Sequence, residues 1–402
     1  MLLLRFSLVP ALLIFIIFAA ANQAAYPRIF IGITIFLTVA TIALKILRTR
    51  KISADFISFF KLTFVCLIIY MASVYQTPIT GTGPLAEEYI NIVLKFILGP
   101  FIFFLSYLQP WEKRQFQALT TFTLICLNLF LLGAHLSSGI VTGMVIGNLH
   151  SNFVGLFGAL SLAYFGLFAR NKRKLNTSLK LLGIISFTLL VLSLSRGAYI
   201  TLIAAIGFYV LLGKKNNRLL IGYPLYAIVL TVLVAVSVSF SSWVKSDNAV
   251  TVSTYVEQIT SKPLDTGRAK FWDRALTDIR ANPLTGVGIK ARASWERKLS
   301  NGSVIKLSVH NYYIAILHEA GLLGLGAVVA LLLLVYSRLI KVKSHFGRYG
   351  AAWFLALLVH QTAEVSLTTG TFLAGALIWL FWGGVARFIA TSGSGRQRTV
   401  FQ

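Results

Sequence analysis

Apolar runs of about 17 to 25 residues recur along almost the whole chain, and each is long enough to cross a hydrocarbon layer about 30 Å thick. In lipid a backbone must satisfy its own hydrogen bonds, so continuous runs of this length read as helices; barrel strands are shorter and alternate in polarity. Composition agrees, because 57% of the 402 residues are hydrophobic and only 12% charged, where a soluble domain carries about 25%. The expected fold is an all-α polytopic membrane protein with about twelve transmembrane helices. The spans read as 8–21, 29–47, 56–75, 90–108, 115–135, 148–169, 179–194, 197–213, 219–243, 311–337, 350–366 and 370–390. The first is short enough to resemble a signal peptide, but it lacks a convincing small-residue cleavage site before Tyr26-Pro27 and the topology needs it, so it is kept as a span.

Basic clusters at 48–51, 113–114, 170–174, 214–218, 338–348 and 387–398 all fall on one side of a twelve-span chain. The positive-inside rule makes that side the cytoplasm and puts both termini there. The division follows: 1–243 holds the first nine helices, 244–310 an extracytoplasmic loop domain, 311–390 the last three helices and 391–402 a cytoplasmic tail. The net charge of +25 is then mostly topology. Its basic residues sit in separate short loops rather than on one surface, which argues against a nucleic-acid partner. Cys66 and Cys126 lie inside spans and suggest neither a disulfide nor a metal site. Gly286-Val287-Gly288 is too short for a dinucleotide fingerprint.

The loop differs from the rest of the chain, with eleven Lys/Arg against six Asp/Glu, an excess that membrane insertion does not require. Within it, residues 266–280 have helical spacing, with Phe271, Ala275, Leu276 and Ile279 on one apolar face, and Asn282-Pro283-Leu284 ends the helix. Residues 286–309 read as an irregular return to the membrane.

Three arginines stand out. Arg196, in Ser195-Arg196-Gly197, sits at the outer mouth between two spans; it is either a functional charge or a helix-end anchor that snorkels to the interface. Arg268 opens the loop helix, where free N–H groups and the macrodipole already attract anions, or else it is a solvated surface residue. Arg292 follows the Gly286/Gly288 turn and reads first as a surface residue. His310, followed by Asn311 at the start of the next span, is the candidate general base, although a lone interfacial histidine is more often structural. His150 and Asn152 open a span on the outer side. His360 and Glu364 lie four apart, a spacing that suits a hydrogen-bonded pair better than a metal site with two ligands.

His310-Asn311, nine residues, then Gly321-Leu322-Leu323-Gly324 resembles the motif of the O-antigen ligases, membrane glycosyltransferases that join O-antigen polysaccharide to lipid A-core. Ser195-Arg196-Gly197 resembles the family's arginine between adjacent spans, and Gly267-Arg268 with Trp272 its loop-helix motif. Asn282-Pro283-Leu284-Thr285-Gly286-Val287-Gly288 and Gly147-Asn148-Leu149-His150-Ser151-Asn152 look like two further motifs of the ligase and polymerase superfamily. Together the matches cover about 147–325, and their specificity lies in the combination.

The resemblance implies a GT-C-like enzyme of a bacterial inner membrane with a periplasmic active site. The donor would be polysaccharide on undecaprenyl diphosphate and the acceptor lipid A-core, with membrane lipids around the helices. Arg196 and Arg268 would hold the diphosphate and His310 would be catalytic. Arg292, Asn311, His150, Asn152 and Trp272 would be further candidate substrate contacts. The loop has no DxD-type carboxylate cluster, so the expected reaction uses no metal and no cofactor. An O-antigen polymerase or a protein O-oligosaccharyltransferase would share the donor. A lipid-linked oligosaccharide transporter is the remoter alternative, and neither an inverted repeat nor a broken midplane helix is visible in the sequence to favour it.

Overall fold

The computed structural model describes residues 113–137, 151–169, 177–213, 218–260 except Lys245, 268–288, 294–298, 304–341 and 345–363, with isolated positions elsewhere. Nine helices are described in full: α1 (Lys113–Ser137), α2 (Ser151–Ala169), α3 (Thr177–Ser193), α4 (Arg196–Leu211), α5 (Arg218–Trp243), α6 (Asp247–Thr260), α7 (Arg268–Ala281), α8 (Tyr312–Ile340) and α9 (His345–His360). An antiparallel pair, β1 (Ser294–Lys298) and β2 (Val304–Ser308), lies between α7 and α8, with Ser294 opposite Ser308. The expected spans 8–21, 29–47, 56–75, 90–108 and 370–390 fall wholly or almost wholly outside the described residues. Six other expected spans are helical close to their expected bounds, whereas the span expected at 350–366 is a helix over 345–360 followed by a turn at 361–363. By length and composition, two described stretches can cross a membrane, Ile221–Phe240 and Tyr312–Ile340; α3 and α4 are apolar but shorter, at 17 and 16 residues.

Small residues let α2 and α3 approach closely, as is usual where apolar packing alone gives little drive. A Cβ on Gly158 would lie 2.9 Å from the Leu190 backbone nitrogen, and one on Gly155 2.5 Å from the Ser195 Cβ. Polar side chains tie the same helices together. The Asn128 amide of α1 donates to Ser161 Oγ at 2.8 Å on α2 and Ser186 Oγ at 3.2 Å on α3. α4 packs along α9, and α8 packs against α5, α7 and α9.

Three features depart from the sequence reading. The segment expected to be irregular forms the β1–β2 hairpin, so the described fold is helical with one small sheet. The loop contains a helix, α6, before the expected one. The third departure is in α8, expected as one continuous span and broken at Gly321, whose φ of 61° and ψ of −159° are non-helical. Such a break strands backbone groups on both sides, and inside a protein they need partners. The turn after α7 supplies them. Leu322 and Leu323 donate to the carbonyls of Pro283 and Leu284 at 2.9 and 3.1 Å, while Val287 and Gly288 donate to those of His318 and Glu319 at 2.8 and 3.1 Å. The fit leaves no room for side chains: a Cβ on Gly321 would collide with the Leu284 carbonyl, and one on Gly286 would lie 2.6 Å from the His318 oxygen. Each of the two glycine-bearing motifs thus supplies the space that the other needs. The loop helix and the long apolar helix are joined backbone to backbone.

Candidate active site

The site is built outward from the turn that follows α9. Residues 361–363 present three successive carbonyls, two accepting from the start of α8 and one from the start of α7. Gln361 O accepts from the backbone N–H of Tyr312 at 2.9 Å, Thr362 O from the Asn311 amide at 3.1 Å, and Ala363 O from the Arg268 guanidinium at 2.9 Å. Gly197 lies against the same turn, since a Cβ there would sit 3.6 Å from His360 Nε2 and from the Ala363 Cβ. Residues distant in sequence, near 196, 268, 310 and 360, are thereby gathered at one place.

Arg196 reaches it from the tight connection between α3 and α4. Leu194 turns the chain with a φ of 46°, and Ser195 caps α4 by accepting from the Ala198 N–H at 3.3 Å. The Ser195 hydroxyl also donates to Asn152 Oδ1 at 3.3 Å, so Asn152 supports the turn that presents Arg196. The Arg196 side chain stands at the end of its helix, half-buried. Burial and then the charge of nearby Arg268 press its pKa below the ordinary value. A guanidinium remains protonated even so, and two such groups held together make a place of positive potential. Both begin helices, where N–H groups and the helix dipole add to that potential.

α7 carries Arg268 and, one turn later, Trp272. Of its expected apolar face, Ala275 and Leu276 are buried while Phe271 and Ile279 are half-buried, and Trp272, Ala275, Val309 and Ile314 form one cluster with Phe240 and Ile279 packed on it. The Trp272 indole donates to Val309 O at 2.7 Å, and its ring lies 5.1 Å from that of Phe240. Lower on the helix, Asp278 meets buried His318 at 3.0 Å.

His310 follows Val309. It is half-buried and has a φ of 47°, in the left-handed region that few residues other than glycine occupy. Asn311, wholly buried, spends its carboxamide on four internal bonds. Its oxygen accepts from Tyr313 N and Ile314 N, capping α8, and its amide donates to Ser237 Oγ at 2.9 Å and to Thr362 O. Asn311 and Trp272, which the sequence offers as substrate contacts, thus have their polar atoms engaged in holding the site together. His150 and Arg292 lie outside the described residues, as does Glu364, the expected partner of His360. Among the described residues, no three His, Cys, Asp or Glu side chains come together as a metal-binding group.

The part sequence reasoning missed is the 361–363 turn. The signal was present as Gln361 and Thr362 after a long apolar run, but neither carries a side chain that suggests chemistry. Its contribution comes from backbone carbonyls.

Residues 181–329 match the family model described as O-antigen ligase. The match contains Arg196, Arg268, His310 and Gly321, while Asn152 and the 361–363 turn lie beyond it. No curated protein matches the chain. Over the stretch that holds both arginines, the histidine and the broken helix, the chain is similar to the O-antigen ligase family, a likeness compatible with ligase- or polymerase-type activity, and two described helices are long and apolar enough to cross a membrane.

Proposed function

We propose that the chain is an inverting, metal-independent glycosyltransferase of a bacterial inner membrane. It transfers O-antigen polysaccharide from undecaprenyl diphosphate to a sugar hydroxyl of lipid A-core at the periplasmic leaflet. The supporting observation is the juxtaposition of Arg196 and Arg268 at helix N-termini, beside the turn that seats the backbone after His310. Two guanidinium groups near enough to feel each other's charge suit a ligand with neighbouring negative charges, and a diphosphate is such a ligand.

In the reaction the bond between the anomeric carbon and the diphosphate oxygen breaks, and its electron pair stays on that oxygen. Negative charge grows there, so cations aimed at it stabilise the transition state more than the ground state. The acceptor oxygen attacks the anomeric carbon from the opposite face, and its proton passes to the His310 imidazole. Configuration inverts, and undecaprenyl diphosphate leaves. The donor arrives activated, so the reaction uses no nucleotide. The lipid tail lies between apolar helices.

The test uses the full chain in vesicles with a lipid-linked polysaccharide donor and three acceptors in parallel: lipid A-core, lipid-linked repeat unit and a pilin-like protein. Transfer to lipid A-core is expected, unchanged by EDTA, and lower by about 100-fold or more in both Arg268→Ala and His310→Ala. Transfer only to the repeat unit would make the enzyme a polymerase, and only to protein an oligosaccharyltransferase. Loss of activity with chelator, restored by Mg²⁺ or Mn²⁺, would end the metal-free mechanism.

A further inference from the structure

We infer that Trp272 is a positioning residue: its indole N–H, bonded to the Val309 carbonyl, fixes the peptide that carries His310, and it does so from the helix that carries Arg268. The inference rests on the proposed role of His310 as the base.

Arg268 and Trp272 are four residues apart in α7 and so share one face of it. One binds Ala363 O and the other Val309 O, at 2.9 and 2.7 Å. A single helix therefore sets the register between the guanidinium and the imidazole. The φ of 47° at His310 is a conformation that costs energy for a residue with a Cβ and persists only where the surroundings hold it. Both flanks are held. After His310, Asn311 caps α8 and the Tyr312 N–H is bonded to Gln361 O. Before it, Val309 is 1% exposed and its carbonyl is held by the indole.

Trp272 has no open ring face for a sugar. It is 6% exposed and packs on Phe240, Ala275, Val309 and Ile314. Its polar atom is engaged with the backbone. Without that bond the Val309–His310 peptide is free to turn, and His310 relaxes toward an ordinary φ. The imidazole then swings away from the acceptor hydroxyl while Arg196 and Arg268 keep the donor.

The experiment compares Trp272→Phe with replacement of Trp272 by benzothienylalanine, which keeps the shape of the indole and substitutes sulfur for N–H. Both are assayed as the full chain in vesicles after elution as a single species. The expected result is a kcat lower by about 10- to 100-fold with the donor KM unchanged within about twofold, since misplacement of a reacting group by about 1 Å has effects of this size. Adding Trp272→Phe to His310→Ala should lower turnover no further, because the residue acts through the histidine. A raised KM with kcat preserved would mean that Trp272 touches substrate or merely seats Arg268, and would overturn the inference. Wild-type kcat in the benzothienyl protein would overturn it too. Substantial turnover in His310→Ala would instead remove the base from the proposed mechanism and this inference with it. A dead His310→Ala beside a fully active benzothienyl protein would sink the inference alone.

Discussion

The two sections of α8 on either side of Gly321 share one apolar core but differ in how densely directional contacts supplement it. Residues 312–320 are bound by directional contacts: the Asn311 cap, the Tyr312 N–H on Gln361, the Tyr313 hydroxyl on Leu358 O at 2.7 Å, and His318 on Asp278. After Gly321, Leu322 and Leu323 are exposed, and further along Leu331, Leu332, Val335 and Leu339 are buried with Tyr336 stacked on Tyr226 at 5.2 Å between centroids. Hydrogen bonds have a direction and a short reach, so they fix a site to a fraction of an ångström. Apolar packing fills volume and accepts substitutes of similar size. The first section, next to the candidate site, carries the denser set of hydrogen bonds; the second has fewer and relies more on packing.

Substitutions can break this contrast. Gly321→Ala should have the largest effect, about 3 kcal/mol or more, because a side chain at that φ and ψ is strained and its Cβ would meet the Leu284 carbonyl. Thermal unfolding in detergent, with yield of monodisperse protein, is the measurement; near-normal stability would show that the turn docks more loosely than described. Asn311→Ala should follow at about 2 kcal/mol, from a lost cap and buried groups left without their amide partner. Tyr336→Phe, on the far side of the break, removes a hydroxyl bond to Gly222 O at 3.1 Å but keeps the stacked ring, so about 0.5–1 kcal/mol is expected. A reversal of the last two would show that the apolar section is specified by polar contacts as well.

Sequence reasoning read best where one residue type has one physical meaning. Ser195-Arg196-Gly197 at the junction of two apolar runs announced a charge at a helix end, and Asn282-Pro283 announced the stop of α7. The break at Gly321 stayed hidden because glycine is common in membrane helices and Gly321-Leu322-Leu323-Gly324 continues an apolar run. Only the partner turn, more than thirty residues earlier, gives it meaning. The hairpin was missed although Ile305, Leu307 and Val309 alternate with Lys306 and Ser308, a period of two too short to outweigh the glycine-containing stretch before it. The turn at 361–363 left only the faint signal of Gln361 and Thr362 after an apolar run, and the partners of its backbone carbonyls leave no mark in a sequence.

The hairpin leaves and rejoins the body of the protein at two anchored points, Gly288 on the Glu319 carbonyl and Val309 under the Trp272 indole. One residue gained or lost within 282–288 would shift the hydrogen bonds that seat Gly286 and Gly321 against each other, and with them the register between α7 and α8.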